Sequence, residues 1–155
     1  MLCISTELSI LDVDKAGYCI QEHFGGGLIL ENRAAHGMKI RRSVLGDAHV
    51  DKAEAAKTDF DAPFQTLITE GAWGTLWADD TITRRERSLL TLALLAATGN
   101  FEEIPMHIRA TQNTGATPQD VLQAFMHVAV YAGVPAANHA IKLAKQTYTD
   151  LGVAI

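Results

Sequence analysis

Cysteine is nearly absent from this chain. The two present, Cys3 and Cys19, sit near the N-terminus and fit no metal spacing, so a disulfide framework across 155 residues is excluded. A reducing, cytoplasmic setting is the expectation. Proline is scarce too, and each of the four (Pro63, Pro105, Pro118, Pro135) falls where a helix would begin. Long apolar runs are missing. A bilayer span needs about 18 residues or more, and the most apolar stretch, Leu89 to Ala97, has about half that length. Basic charge is short: 13 Lys and Arg stand against 18 Asp and Glu, a net charge of −5. With no basic face or tail, nucleic acid is not a general partner. Finally, no segment sustains the period-two alternation of a half-buried strand.

What is there reads as helices joined by short turns. Asp51 to Phe60 is a short amphipathic helix. Pro63 opens another, with Phe64, Leu67 and Ile68, then Trp73, Leu76 and Trp77, at helical spacing. Thr83 and Glu86 have the spacing of a capping box, which starts a helix over Arg84 to Thr98 with Gly99 as its C-cap. The next helix begins near Glu102 or Glu103, tolerates Pro105 in its first turn, and stops at Gly115. Thr117 caps the one after it, with Pro118 first and Asp120 third. Gly133 ends that helix, and Pro135 starts the last, which runs to about Leu151. The fold class is all-α, a compact helical bundle. Apolar surface left over on so small a domain favours a homo-oligomer.

Residues 1–30 differ in character. They are acidic, lack the basic start and small-residue cleavage site of a secretory signal, and end in the run Gly25-Gly26-Gly27, which reads as a hinge. The expectation is an N-terminal extension of unknown role over 1–30 and one helical domain over 31–155.

The segment Gly37 to Asp51, GMKIRRSVLGDAHVD, is the richest in chemistry. The adjacent Arg41 and Arg42 offer planar forks suited to a carboxylate. His49 follows a turn between Asp47 and Asp51 and is a second candidate for catalysis. His107 is the first. Glu103 stands four residues before it, so on one helix the two share a face and can hydrogen-bond. That pairing would orient the imidazole and raise its proton affinity. Arg84, Arg85 and Arg87 cluster at a helix start, where cations are disfavoured. An anion-binding role, assigned to Arg85, would excuse that conflict; a salt bridge would do so equally. Trp73 and Trp77, four apart, share a face and read first as core or interface anchors, with Trp73 also a candidate substrate wall. His127 and His139 sit among apolar residues, the setting of core or interface histidines. A metal site from His107, His127 and His139 has no supporting spacing.

Several separated blocks together resemble the gamma-carboxymuconolactone decarboxylases, within the alkylhydroperoxidase-D-like superfamily. They are GMKIRRSVLGDAHVD, ITEGAWGTLW (68–77), RSLLTLALLAATGN (87–100), MHIRA (106–110) and VAVYAGVPAANHA (128–140), in order over roughly 32 to 150. The resemblance implies a ring-shaped hexamer built from pairs. It places His107 in the active site, because MHIRA matches the family's MH-x-RA motif. It also separates this chain from the superfamily's thiol peroxidases. Counting back from His107, their two cysteines fall at Asn100 and Glu103, and an upstream glutamate falls at Ser88. Without a thiolate that redox chemistry has no nucleophile.

The implied substrate is 4-carboxymuconolactone, a dicarboxylate lactone of protocatechuate breakdown. Its own ring accepts the electron pair as carbon dioxide leaves, so the implied enzyme uses no cofactor and no metal. The protein then has three tasks: grip the spectator carboxylate, stabilise the dienolate oxygen, and protonate the ring carbon. Arg41, Arg42 and Arg85 are the candidates for the first. His107, oriented by Glu103, and His49 are the candidates for the others. An apolar wall, from Leu89, Ile104 or Trp73, would face the departing carboxylate, because a salt bridge there would stabilise the ground state. A related enzyme on another lactone or keto acid, or a helical oligomer without catalysis, are the competing readings.

Overall fold

The structure, a computed structural model, describes residues 18–20 and 30–155. The glycine hinge, Cys3 and His23 lie outside the described residues. A three-residue antiparallel ribbon comes first, β1 (Tyr18–Ile20) with β2 (Leu30–Asn32), paired Tyr18 to Asn32 and Ile20 to Leu30. Strands this short leave no alternation to read in a sequence. Seven α-helices follow: α1 (Arg33–Leu45), α2 (Asp47–Ala56), α3 (Ala62–Ile68), α4 (Arg84–Thr98), α5 (Ile104–Thr114), α6 (Pro118–Tyr131) and α7 (Val134–Asp150). No described helix is long and apolar enough to cross a membrane.

The expected starts of α4 and α6 are built as capping boxes. Thr83 Oγ1 accepts from the Glu86 amide at 3.2 Å, and the Glu86 carboxylate accepts from the Thr83 amide at 2.7 Å. Thr117 and Asp120 repeat the arrangement at 3.2 and 3.0 Å. Two expectations need correction. The helix placed at Asp51–Phe60 runs Asp47–Ala56, because Gly46, at φ 84°, ends α1 and releases α2 at once. Phe60 lies instead in a turn closed by the Asp61 carboxylate, which accepts from the Thr58 amide and hydroxyl, both at 2.7 Å. The segment after Ile68 is not a plain α-helix: Thr69–Leu76 is π-helical. Its wider turn brings the Trp73 and Trp77 rings to 5.2 Å between centroids.

Two apolar clusters organise the bundle. The larger joins α4, α5, α6 and α7 around Leu92, Ile104, Ile108, Val121 and Phe125, all essentially inaccessible to solvent. Burying each such large side chain contributes roughly 1.5–3 kcal/mol. The smaller joins α1, the π-helical turn and α5 through Val44, Trp73, Trp77 and Ala110. Helix α5 therefore serves both, and His107 stands on it between Ile104 and Ala110.

Helix α1 meets the π-helical turn backbone to backbone. A methyl group on Gly37 would collide with the Thr69 carbonyl, and one on Gly74 would lie 2.6 Å from the Arg33 carbonyl oxygen. Glycine at both positions is what lets the segments touch. On the outside, Leu90 and Leu94 of α4 and Leu122, Met126 and Val130 of α6 remain exposed.

Candidate active site

Helices α2 and α5 bring His49 and His107 together. His107 is half-buried, and its pKa is lowered to about 4, first by loss of hydration and then by the nearby charge of His49. Neither imidazole hydrogen-bonds to protein among the described residues. At neutral pH His107 is therefore an uncharged ring with its hydrogen-bonding capacity unused.

The expected pairing of His107 with Glu103 does not form. Glu103 belongs to a 3-10 turn, Phe101–Glu103, that precedes α5, so the i,i+4 geometry of a continuous helix does not apply. Its side chain is exposed and lines a separate hollow of about 450 Å³ with Phe101, His139 and Leu143, from which His107 is absent. The expected rise in proton affinity is replaced by a fall.

The arginines divide clearly. Neighbours on a helix point about 100° apart, so Arg41 faces inward, 4 % exposed, while Arg42 lies at the rim. Arg42 Nη1 is neutralised twice, by Asp47 at 3.0 Å and Asp51 at 2.8 Å. Arg41 reaches one carboxylate, Glu54, at 3.5 Å, and its buried Nε has no partner. Glu54 is at the same time 2.5 Å from Lys57 Nζ. Arg85 forms a two-pronged pair with Asp120, its Nε 2.9 Å and its Nη2 2.5 Å from the two carboxylate oxygens. This bridge lowers the Asp120 pKa well below the usual carboxylate range. Arg85 thus ties the start of α4 to the start of α6, a salt bridge of the kind that the sequence offered beside the anion-binding role. Arg87, also buried, donates to the Asp79 carbonyl and carboxylate at 2.8 and 2.9 Å, closing the loop before α4.

Trp73 is buried in the smaller cluster against Trp77, the packing of a core anchor. Of the alternatives for an apolar wall, Leu89 and Ile104 belong to the other cluster. Ser88 forms a closed buried pair with Thr114, 2.7 Å between hydroxyl oxygens. His127 stacks on Tyr131 and His139 on Phe101, and among the described residues no three His, Cys, Asp or Glu side chains converge. Sequence reasoning did not place Glu54, Lys57 or Asn113 in this region. Asn113 Nδ2 donates to the Val44 carbonyl at 2.9 Å and pins α1 to α5.

These features define a helical protein whose α1, α2 and α5 carry free imidazoles and a buried arginine with one long ion pair and an unpartnered Nε. The chain belongs to the carboxymuconolactone decarboxylase family, whose model matches residues 62–146. That match takes in His107, while Arg41, Arg42 and His49 precede it. The chain is 39% identical over 124 residues to the 4-carboxymuconolactone decarboxylase of Acinetobacter baylyi, covering 80% of this chain and 92% of that protein. It is also 39% identical over 115 residues to the nitrosuccinic acid decarboxylase of Metarhizium robertsii, covering 74% and 80%. A shorter match, 53% over 38 residues, joins 24% of this chain to 79% of a Pseudomonas putida 4-carboxymuconolactone decarboxylase sequence.

Proposed function

We propose that this protein decarboxylates 4-carboxymuconolactone to the β-ketoadipate enol-lactone, in the cytoplasmic breakdown of protocatechuate and without a cofactor. The observation that carries the reading is the pair of unsatisfied imidazoles, His107 and His49, with Arg41 on α1 tied through Glu54 to α2, the helix that carries His49. As the bond to the departing carboxylate breaks, its electron pair runs through the ring double bond to the lactone carbonyl oxygen. His107, neutral, donates an N–H hydrogen bond to that oxygen as it becomes anionic. A preorganised donor of this kind contributes roughly 10²–10³ in rate. His49 is solvent-exposed, so a proton it gives to the ring carbon is replaced from water. Arg41 holds the retained carboxylate; such a pair gains about 4 kcal/mol at about 4 Å and an effective dielectric of about 20, before desolvation.

A second reading is favoured by the equal identity to a nitrosuccinic acid decarboxylase. A nitro group beside a carboxylate accepts an electron pair as an unsaturated lactone does, and the same donor serves a nitronate oxygen. The two substrates share a retained carboxylate and an acceptor conjugated to the carbon that loses carbon dioxide. The exposed apolar faces of α4 and α6 supply the contact surface for the homo-oligomer, a hexamer, that belongs with this reading.

The test is direct. The lactone is generated in situ from 3-carboxy-cis,cis-muconate and its decay followed with and without protein, and nitrosuccinate is run in parallel. Accelerated decay of the lactone alone supports the first reading. Turnover of nitrosuccinate alone replaces it with the second. A folded protein inert to both removes them together.

A further inference from the structure

We propose that Lys57 is a positioning residue for anion binding: it draws the Glu54 carboxylate away and keeps the Arg41 guanidinium open for a carboxylate of the substrate. The proposal rests on Arg41 being the anion clamp.

A guanidinium carries five N–H donors, and a buried one ordinarily has them satisfied. Arg41 does not. Its one ion pair among the described residues is to Glu54, at the long distance of 3.5 Å, and its buried Nε is without a partner. The reason is visible in Glu54, whose other oxygen lies 2.5 Å from Lys57 Nζ. Two cations share this one carboxylate, so among the described residues neither Arg41 nor Lys57 has an acidic partner of its own. The other paired arginines are better matched. Arg42 meets two aspartates and Arg85 meets Asp120 with two nitrogens; Arg87, whose buried Nε is also without a partner, has the Asp79 carbonyl and carboxylate at 2.8 and 2.9 Å. Arg41 is also far the more buried of the two neighbouring arginines, where a charge interaction is screened least.

Lys57 is placed to act this way by the end of α2. It is the C-cap residue, in extended conformation, three residues after Glu54. A cation there also suits the helix C-terminus. If that were its only role, removing its charge would leave anion affinity unchanged. If it restrains Glu54, the freed carboxylate closes on Arg41 and competes with the ligand.

The experiment measures binding of succinate, a simple dicarboxylate, to the full chain by calorimetry, with the Michaelis constant for the lactone alongside. Lys57→Met is expected to weaken succinate binding about tenfold, equivalent to 1.4 kcal/mol, and to raise the Michaelis constant similarly with turnover number kept. The double variant Lys57→Met with Glu54→Gln is expected to recover wild-type affinity, since the competing carboxylate is gone. Lys52→Met removes the same charge from the exposed side of α2 and is expected to change nothing. Wild-type affinity in Lys57→Met overturns the proposal. So does a double variant no better than Lys57→Met, or an equal loss in Lys52→Met. Failure of the wild type to bind succinate overturns it together with the Arg41 clamp. Succinate binding that depends on Lys57, in a protein inert to the lactone, keeps the proposal and removes the substrate assignment alone.

Discussion

His107 answers to His49 across the α2–α5 junction, and not to Glu103 one turn upstream. Burial and the neighbouring imidazole both act against a positive charge on His107, and together they hold its pKa at about 4. The proposed mechanism follows from this sign. A histidine kept neutral is a hydrogen-bond donor to a developing oxyanion, whereas a histidine raised by a glutamate would have been a proton source.

This role separates two substitutions. His107→Ala is expected to lower turnover by at least about 10², the scale of one preorganised donor. His107→Gln keeps an N–H donor and is expected to retain about tenfold more activity than the alanine variant. Steady-state kinetics on the lactone measures both. Equal rates in the two variants would remove the donor role.

The same pKa makes stability depend on pH. In the unfolded chain His107 titrates near 6.5, and in the folded protein near 4. Between those values the unfolded state binds the extra proton. The stability contribution is therefore whole above pH 6.5 and is lost as pH falls through 4. A shift of this size corresponds to about 3 kcal/mol. Urea unfolding of wild type and His107→Gln at pH 7 and pH 4.5 is expected to show a smaller acid loss in the variant. Parallel losses would show that His107 is not the titrating group.

Arg41 and Arg42 are expected to behave oppositely. Arg41→Lys replaces a buried fork with a point charge and should raise the Michaelis constant about tenfold or more, with smaller change in turnover. Arg42→Lys keeps one charge for Asp47 and Asp51 and should leave the constant within about twofold, since exposed pairs contribute little. A Michaelis constant that responds to Arg42 and not to Arg41 would reverse the assignment.

Gly37→Ala is expected to destabilise by about 1–3 kcal/mol or more, the cost of forcing atoms into packed space. Gly71→Ala, whose added methyl meets nothing within 4 Å, should be neutral or mildly stabilising. Thermal unfolding of the two variants distinguishes them. A Gly37→Ala protein as stable as wild type would mean that α1 can lift off the π-helical turn at no cost.

The helices that were legible in the sequence are those whose ends are written locally. Thr83 with Glu86 and Thr117 with Asp120 specify their own caps within four residues. Helix α1 was not legible, because Arg41 occupies an inward position that periodicity reserves for an apolar side chain. The π-helical turn escaped because its spacing is set by contact with Gly37, not by a repeat of its own. At the site, His49, His107 and Arg41 could be picked out from residue type and motif. Their relationships could not. Whether Arg85 meets a substrate or Asp120 depends on a partner 35 residues away, and whether Glu103 meets His107 depends on a 3-10 turn that no four-residue spacing reveals.

The two facing glycines also set a phase. With Gly37 seated against Thr69 and Gly74 against Arg33, α1 can neither roll nor slide by a residue without a clash. Adjacent arginines on a rolling helix would exchange places between the interior and the rim. On this one they cannot. The residue with no side chain at all thereby selects which of two identical side chains, one position apart, faces the interior.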